Sequence, residues 1–295
     1  MPNALRQFLV KHPRLVRRAA NLIPDIEWTK TVRPIGPMRL RLRLNKGLWV
    51  RNPLITERHQ LGVIHSWIRP GDTVYDIGAN IGYVLRFMVG ICGAGRGFAF
   101  EPVPFNRALL EKNIKLGGLE QRVKVFPCAV GDRDGEVEFT LDEYTGATGR
   151  IDSVREDGAS WQDRWGIEAR KVKVPLVSID NLMARGEIAA PRMMKIDVEG
   201  AEEFVIAGAR RTLEEHKPRL VMELHTLEEA RRTMRLLDGL GYALFGQVDI
   251  EGQAPRRRYD AAAIEAAKER PDLPFHLYAT PDAAELEREI PPYGG

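Results

Sequence analysis

Residues 72–87, D-T-V-Y-D-I-G-A-N-I-G-Y-V-L-R-F, decide how this chain folds. Thr73–Ile77 is a short run rich in β-branched residues behind the Pro70-Gly71 turn, which is the pattern of a buried strand. Gly78 and Gly82 then supply a turn in which the backbone can take positive φ and a ligand can approach without meeting a Cβ. From Tyr83 onward helical spacing resumes. A strand, a glycine turn and a helix in that order predict a nucleotide cradle in an α/β fold.

The loop itself narrows the nucleotide. Dinucleotide folds use G-x-G-x-x-G to seat a pyrophosphate on the helix N-terminus. Here the run is G-A-N-I-G, and Asp76 stands two residues before the first glycine. A carboxylate there repels a pyrophosphate and suits a ligand carrying a sulfonium and an ammonium, which points to S-adenosylmethionine. Residues 97–100 read as the next strand, with Glu101 at its C-terminal end and Pro102 and Pro104 stopping it and opening a helix. In doubly wound folds an acid about 20 residues past the glycine loop accepts the ribose hydroxyls, and Glu101 lies at that distance.

Six blocks follow one another between Glu57 and His225: D-I-G-A-N-I-G, F-E-P-V-P-F-N-R-A-L-L-E-K-N-I, C-A-V-G-D, V-S-I-D-N-L, M-K-I-D-V-E-G-A-E and P-R-L-V-M-E-L-H. The series resembles the ordered signatures of the FkbM-type methyltransferases, which are class I enzymes dependent on S-adenosylmethionine. The resemblance implies a doubly wound, seven-stranded Rossmann-like sheet. It also implies O-methylation of a hydroxyl on a sugar, lipid-linked or secondary-metabolite acceptor. It carries cofactor contacts onto Asp76, Gly78, Ala79, Asn80, Gly82, Tyr83, Glu101, Pro102, Asp197 and Glu199, and places adenine against the small side chains Ala129 and Val130. Asp132 either accepts from the adenine amino group or shapes the turn up to Gly135.

The reacting end is expected at the fourth and fifth strands, residues 193–196 and 219–224. Asp197 and Glu199 follow the first, in the crevice where α/β folds bind ligands, and alternation sends Glu223 and His225 to one side of the second. His225, whose type titrates near neutrality, is the candidate general base, with Asp197 and Glu223 as its carboxylate company. The same side chains are also a candidate oxygen-rich ligand set for Mg²⁺. Glu202 falls in the first turn of the helix expected over 201–211 and is read as a cap.

Outside this unit, residues 5–23 read as a basic amphipathic helix that packs on the domain or a second subunit, or lies on an anionic membrane surface. Residues 1–51 carry twelve Lys/Arg against two Asp/Glu in a chain of net charge +3, so the remainder is acidic. The strict alternation at 38–44 predicts a strand that turns at Asn45-Lys46-Gly47 into a second strand at 48–50, and its arginines 39, 41 and 43 are either a phosphate-holding face or a solvated one. Domain organisation is therefore read as a basic extension over 1–55 and a methyltransferase domain over 56–295. A helix is expected over 56–68, where Glu57 and His59 either overhang the cofactor loop or sit exposed.

Further along, 136–141 and 172–177 are expected to pair as an added hairpin, with 142–170 as a substrate cover. Strands near 242–245 and 275–279 complete the sheet, and the tail beyond Glu285 is expected to fray. Cys92 and Cys128 have no ligand-like spacing and read as reduced and buried, which favours a cytoplasmic protein, peripheral to a membrane at most. No apolar run reaches the ~18 residues of a membrane span. Three rival readings stand: a nicotinamide oxidoreductase, a nucleic-acid methyltransferase using the basic arm, and a non-enzymatic scaffold of the same fold with that arm as an anchor. No appended RNA-binding motif is visible, so nucleic acid is not the expected partner. The acceptor, the oligomeric state and any metal requirement have no sequence signature.

Overall fold

The computed structural model describes residues 26–42, 45, 57–141, 150–151, 170–249, 254–269 and 272–294. The basic helix expected over 5–23, the strand at 48–50 and most of the 142–170 cover lie outside the described residues.

A hairpin, β1 (Glu27–Val32) with β2 (Gly36–Arg41), precedes α1 (Arg58–Trp67). The nucleotide half follows: β3 (Thr73–Ile77), α2 (Tyr83–Arg86) running into a π turn at Phe87–Ile91, β4 (Arg96–Phe100), α3 (Pro104–Leu116) and β5 (Val123–Phe126). Next come β6 (Ala129–Val130), β7 (Gly135–Leu141), β8 (Arg150–Ile151), β9 (Arg170–Val177) and α4 (Ile179–Ala184). The second half holds β10 (Met193–Ile196), α5 (Glu202–Gly208), α6 (Arg210–His216), β11 (Arg219–Glu223) and α7 (Leu227–Gly239). It closes with β12 (Ala243–Gln247), β13 (Arg257–Tyr259), α8 (Ala261–Ala266), β14 (His276–Thr280) and α9 (Ala284–Glu287).

The main sheet runs β13-β12-β14-β11-β10-β3-β4-β5. From β5 through β11 its strands are parallel, and β14 enters antiparallel between β11 and β12. This is the Rossmann-like methyltransferase order, with the seven expected strands and one more at the edge. The eighth, β13, includes two of the three consecutive arginines at 256–258: Arg257–Tyr259 pairs antiparallel with β12, and Tyr259 packs in the core.

Strand alternation divides the core. Val74, Ala99, Met193 and Val221 face α1, α2 and α3, whereas Tyr75, Phe98, Met194 and Leu220 face α4 to α7. Helices therefore cover both faces, as a mostly parallel sheet requires. β7 and β9 pair antiparallel as expected, and they join β6 and β8 in a separate small sheet beside the end of β5.

Local details depart from the sequence reading. β2 pairs with the upstream β1, a strand the sequence reading did not anticipate: the chain turns at 33–35, and Met38 and Leu40 are wholly buried against the main unit. Arg39 meets Glu27 and Thr29 across that hairpin. Arg86, nearly buried, donates to the carbonyls of Ile35 (2.9 Å) and Pro37, tying the hairpin to α2. The single helix expected over 201–211 is two, α5 and α6, broken where Gly208 packs so tightly that a Cβ would lie 1.9 Å from the Gly131 carbonyl oxygen.

The tail is docked rather than frayed. Tyr293 donates its amide to the Arg58 carbonyl (2.8 Å) and sets its ring edge-on to Phe87 at 4.9 Å. Sequence polarity hides this because the receptor is a bare backbone spot, Gly62, where a Cβ would sit 2.4 Å from the Pro291 carbonyl oxygen. Among the described residues no helix is long and apolar enough to cross a membrane. Gly62→Ala is expected to cost about 1–3 kcal/mol of unfolding free energy by overpacking, and to expose the tail to carboxypeptidase. Unchanged stability and an uncut tail would show that the docking contributes nothing.

Candidate active site

The site lies where β3, β4 and β10 end together. Gly78 takes φ +79° directly against the exit of β10, and a Cβ there would fall 1.9 Å from the Asp197 carbonyl oxygen. The amides of Gly78 and Ala79 both donate to the Phe100 carbonyl at 3.0 Å, folding the turn across the end of β4. Asn80 then adopts φ +48°, and its amide donates to Glu101 Oε2 at 2.8 Å. Val103 donates to Glu101 Oε1, also at 2.8 Å. Glu101 is thus held by backbone from both flanking loops and by the Asn106 side chain, and the carboxylate keeps acceptor capacity for a ligand. Pro104 opens α3 at its first turn, where the missing N–H costs nothing.

Above this turn a cleft opens at the carboxyl ends of the strands, the place where open α/β sheets bind ligands. Of the expected cofactor residues, Gly78, Asn80, Glu101, Pro102, Ala129, Val130, Asp197 and Glu199 line it. Asp76 sits beneath the turn, 1 % exposed. Ala79 and Gly82 shape the turn from behind: Gly82 has φ +85° and a Cβ there would lie 2.5 Å from Leu110. Tyr83 is placed elsewhere, with its hydroxyl 3.4 Å from the Arg33 carbonyl on the hairpin side, because α2 turns its first residue away from the cleft. Asp132 pairs with Arg133 at 3.0 Å and does not line the cleft. Cys92 and Cys128 are free and buried, and burial pushes both thiols up to about 12.

The second constellation adjoins the first. His225 Nε2 lies 3.4 Å from Glu199 Oε2 and 3.8 Å from Asp197 Oδ1. Asp197, Glu223 and His225 each bring a polar atom within 4.8 Å of the others. Glu199 reaches this position with φ +58°, an unusual conformation for a residue with a side chain, beside Gly200 at +103°. The four polar side chains expected to converge from two strand ends therefore do so.

Several participants escaped the sequence reading. Lys195, 5 % exposed, places Nζ 2.9 Å from Asp197 Oδ2. Burial alone would lower this ammonium, but Asp197, Asp76 and Glu223 together hold it above the ordinary lysine range. In return Lys195 outweighs burial and keeps Asp197 below the usual carboxylate range. Glu57 is pushed up to about 8, by burial and then by Glu223, so it belongs to this cluster rather than to an exposed helix face. Burial likewise raises Asp76 to about 6 and Glu101 and Glu223 to about 7. Asn106 and Phe139 add a buried amide and a ring to the cofactor side.

Tested against a divalent cation, this donor set fits poorly. One oxygen of Asp197 is already committed to a buried ammonium, whose charge would repel a metal held by the same carboxylate. No step is therefore derived through a metal.

Comparison with known proteins agrees with this geometry. The profile of the methyltransferase FkbM domain matches residues 76–244, more than half of the chain. The 31-O-demethyl-FK506 methyltransferase FkbM of Streptomyces tacrolimicus is 30% identical over 206 residues, covering 62% of this chain and 76% of that protein. The 2-O-methyltransferase NoeI of Sinorhizobium fredii is 26% identical over 168 residues, 56% of this chain and 68% of its own. The hexuronic acid methyltransferase AglP of Haloferax volcanii is 24% identical over 193 residues, 64% and 71%. A solved FkbM methyltransferase from Methylobacillus flagellatus KT shares 16% identity over 79% of this chain and 60% of its own, with a TM-score of 0.42. This chain thus spans less than two thirds of that protein, and the fold is assigned from strand order alone. On the profile match, the chain belongs to the FkbM methyltransferase family.

Proposed function

We propose that this protein is an S-adenosylmethionine-dependent O-methyltransferase acting on a hydroxyl of a sugar, lipid-linked or secondary-metabolite acceptor. The observation that carries the reading is the clamped Glu101: a carboxylate held by the amides of Asn80 and Val103 in a cleft also lined by Asp197 and Glu199, the second of which lies 3.4 Å from His225. A carboxylate fixed in this way, one strand beyond the glycine turn, suits the hydroxyls of a ribose. Asp76 supplies negative potential beneath the turn, suited to a ligand bearing a sulfonium and an ammonium. Ala129 and Val130, with Phe139 across from them, form the flat apolar part of the lining, where adenine would lie.

When bound, S-adenosylmethionine supplies a methyl group already activated on sulfur. What is left to the chain is alignment and removal of one proton. His225 presents Nε2 toward Glu199 and Asp197, and at this nitrogen it would accept the proton of the acceptor hydroxyl. Asp197, kept anionic by Lys195, would stabilise the imidazolium so formed. The names of the relatives support oxygen as the target atom and a sugar or secondary metabolite as the acceptor.

Replacing Glu101 with Ala should weaken S-adenosylmethionine binding roughly 10- to 100-fold in titration calorimetry, the value of one or two charge-assisted hydrogen bonds. Wild-type affinity in that variant would remove Glu101 from the site. His225→Ala should leave that affinity within about twofold and lower transfer of labelled methyl into a fractionated glycan, metabolite and lipid extract by roughly 10²–10⁴. Equal losses in binding and transfer would reassign His225 to structure.

The raised carboxyls give a second test. Because Asp76 and Glu101 titrate near 6 and 7 in the ligand-free fold, above their unfolded values, they favour folding at low pH and lose that contribution as pH rises through 6–7. A cationic ligand with donating hydroxyls favours their ionised forms, so binding must release protons. Calorimetry at about pH 6.5 in two buffers of different ionisation enthalpy should report up to about one proton released per ligand bound, since the two groups together hold about that many at this pH. Proton uptake would contradict the placement of the cation beside Asp76.

A further inference from the structure

Glu202 and Glu229 lie behind His225, 0 % and 1 % exposed. Glu202, at the start of α5, accepts from the Val198 amide at Oε1 (2.8 Å) and from the Gly200 amide at Oε2 (3.0 Å). These amides belong to the turn that carries Asp197 and Glu199. Glu229, in the first turn of α7, accepts from the amides of His225 and Thr226 at Oε2, both at 3.0 Å, while Thr226 Oγ1 accepts from the Glu229 amide at 3.2 Å. Taken singly, each is a helix cap. They are not single, however: the two carboxyls and the His225 ring each bring an atom within 4.8 Å of the others, and the two side chains hydrogen-bond one another.

Two carboxylates cannot hydrogen-bond without a proton between them. Burial and the neighbouring carboxyl push Glu202 well above the usual range, and that raised proton affinity belongs to the pair. The acceptor pattern says which residue donates. Both oxygens of Glu202 are engaged by loop amides, whereas Glu229 Oε1 is buried and meets no fixed donor. The hydrogen bond therefore runs from Glu229 Oε1 to Glu202. Its geometric consequence reaches the base: His225 Nδ1 lies 3.9 Å from Glu202 Oε1 while Nε2 lies 3.4 Å from Glu199 Oε2, so the ring spans the space between the pair and the acid turn.

We propose that Glu202 and Glu229 form a one-proton clasp that locks the turn carrying Asp197 and Glu199 to the turn carrying His225, and that both are positioning residues for the base. The linkage stands on the amide bonds each carboxyl accepts and on the close approach of the two; only its catalytic meaning rests on the reading of His225 given above.

Amide hydrogen exchange, measured by NMR on the full-length protein, tests the clasp without any acceptor. Glu229→Gln keeps one acceptor oxygen and puts an N–H donor where the O–H was. Val198, Gly200, His225 and Thr226 should then keep their protection within about threefold. Glu202→Gln replaces one of two engaged acceptors with a donor and should speed exchange at the 198–200 turn and also at His225 and Thr226, by about tenfold or more. Glu229→Leu should speed exchange at Val198 and Gly200, amides that Glu229 does not itself bond. Loss confined to His225 and Thr226 would mean two independent caps and would overturn the proposal. Should Glu229→Leu not fold, the glutamine pair decides alone: equal behaviour of Glu202→Gln and Glu229→Gln, or the reverse order, contradicts the clasp. Calorimetry with S-adenosylmethionine on the same wild-type sample reports separately on the proposed function.

Discussion

The site depends on one close approach, that of Gly78 to the carbonyl of Asp197. A side chain at position 78 would overlap that oxygen, so only glycine lets the turn after β3 and the exit of β10 share a wall. Everything chemical is hung on that contact. On one side the turn folds over Phe100 and delivers the Asn80 amide to Glu101. On the other the chain leaves β10 through two positive-φ residues, Glu199 and Gly200, which bring a carboxylate up to His225. The proposed cofactor end and the proposed reacting end are thereby adjacent.

The electrostatics follow from the same crowding. Glu57, Asp76, Asp197, Glu199, Glu223 and the pair behind His225 occupy one small region, with Lys195 as its buried cation. The outcome is unequal charge. Asp197, within 2.9 Å of the ammonium, stays ionised, while burial and mutual repulsion raise Glu57, Glu199 and Glu223. Neighbouring groups whose proton affinities are pushed apart are what acid–base chemistry near neutral pH requires. A site of this charge also welcomes a positive ligand, in keeping with Asp76 below the glycine turn.

Much of this was legible in the sequence because it is written in short-range patterns. The glycine turn after a β-branched run, the acid one strand later and the alternation of Glu223 with His225 each constrain local geometry, and all were found where expected. What could not be read depended on distant segments meeting. Lys195 looked like an ordinary strand residue, since nothing local says that its side chain ends among carboxylates from β3, β10 and β11. For Glu57 the sequence left open whether it overhangs the loop or sits exposed, because the carboxylate beside it, Glu223, is far away in the chain. The tail beyond Glu285 looked mobile because its receptor, Gly62, offers only the lack of a side chain. Tyr83 was misplaced for the opposite reason: position in a motif fixes the backbone, whereas the direction of a side chain on a one-turn helix depends on what packs against it, here the β1–β2 hairpin.

The most direct test of the account is a crystal structure of the protein with S-adenosylhomocysteine. The ribose hydroxyls should lie within hydrogen-bond distance of both Glu101 oxygens, with the adenine against Ala129 and Val130 and the sulfur directed toward Glu199 and His225. A nucleoside bound elsewhere, or bound in this cleft with its sulfur pointing away from His225, would contradict the central claim that the two ends of one cleft hold donor and base together.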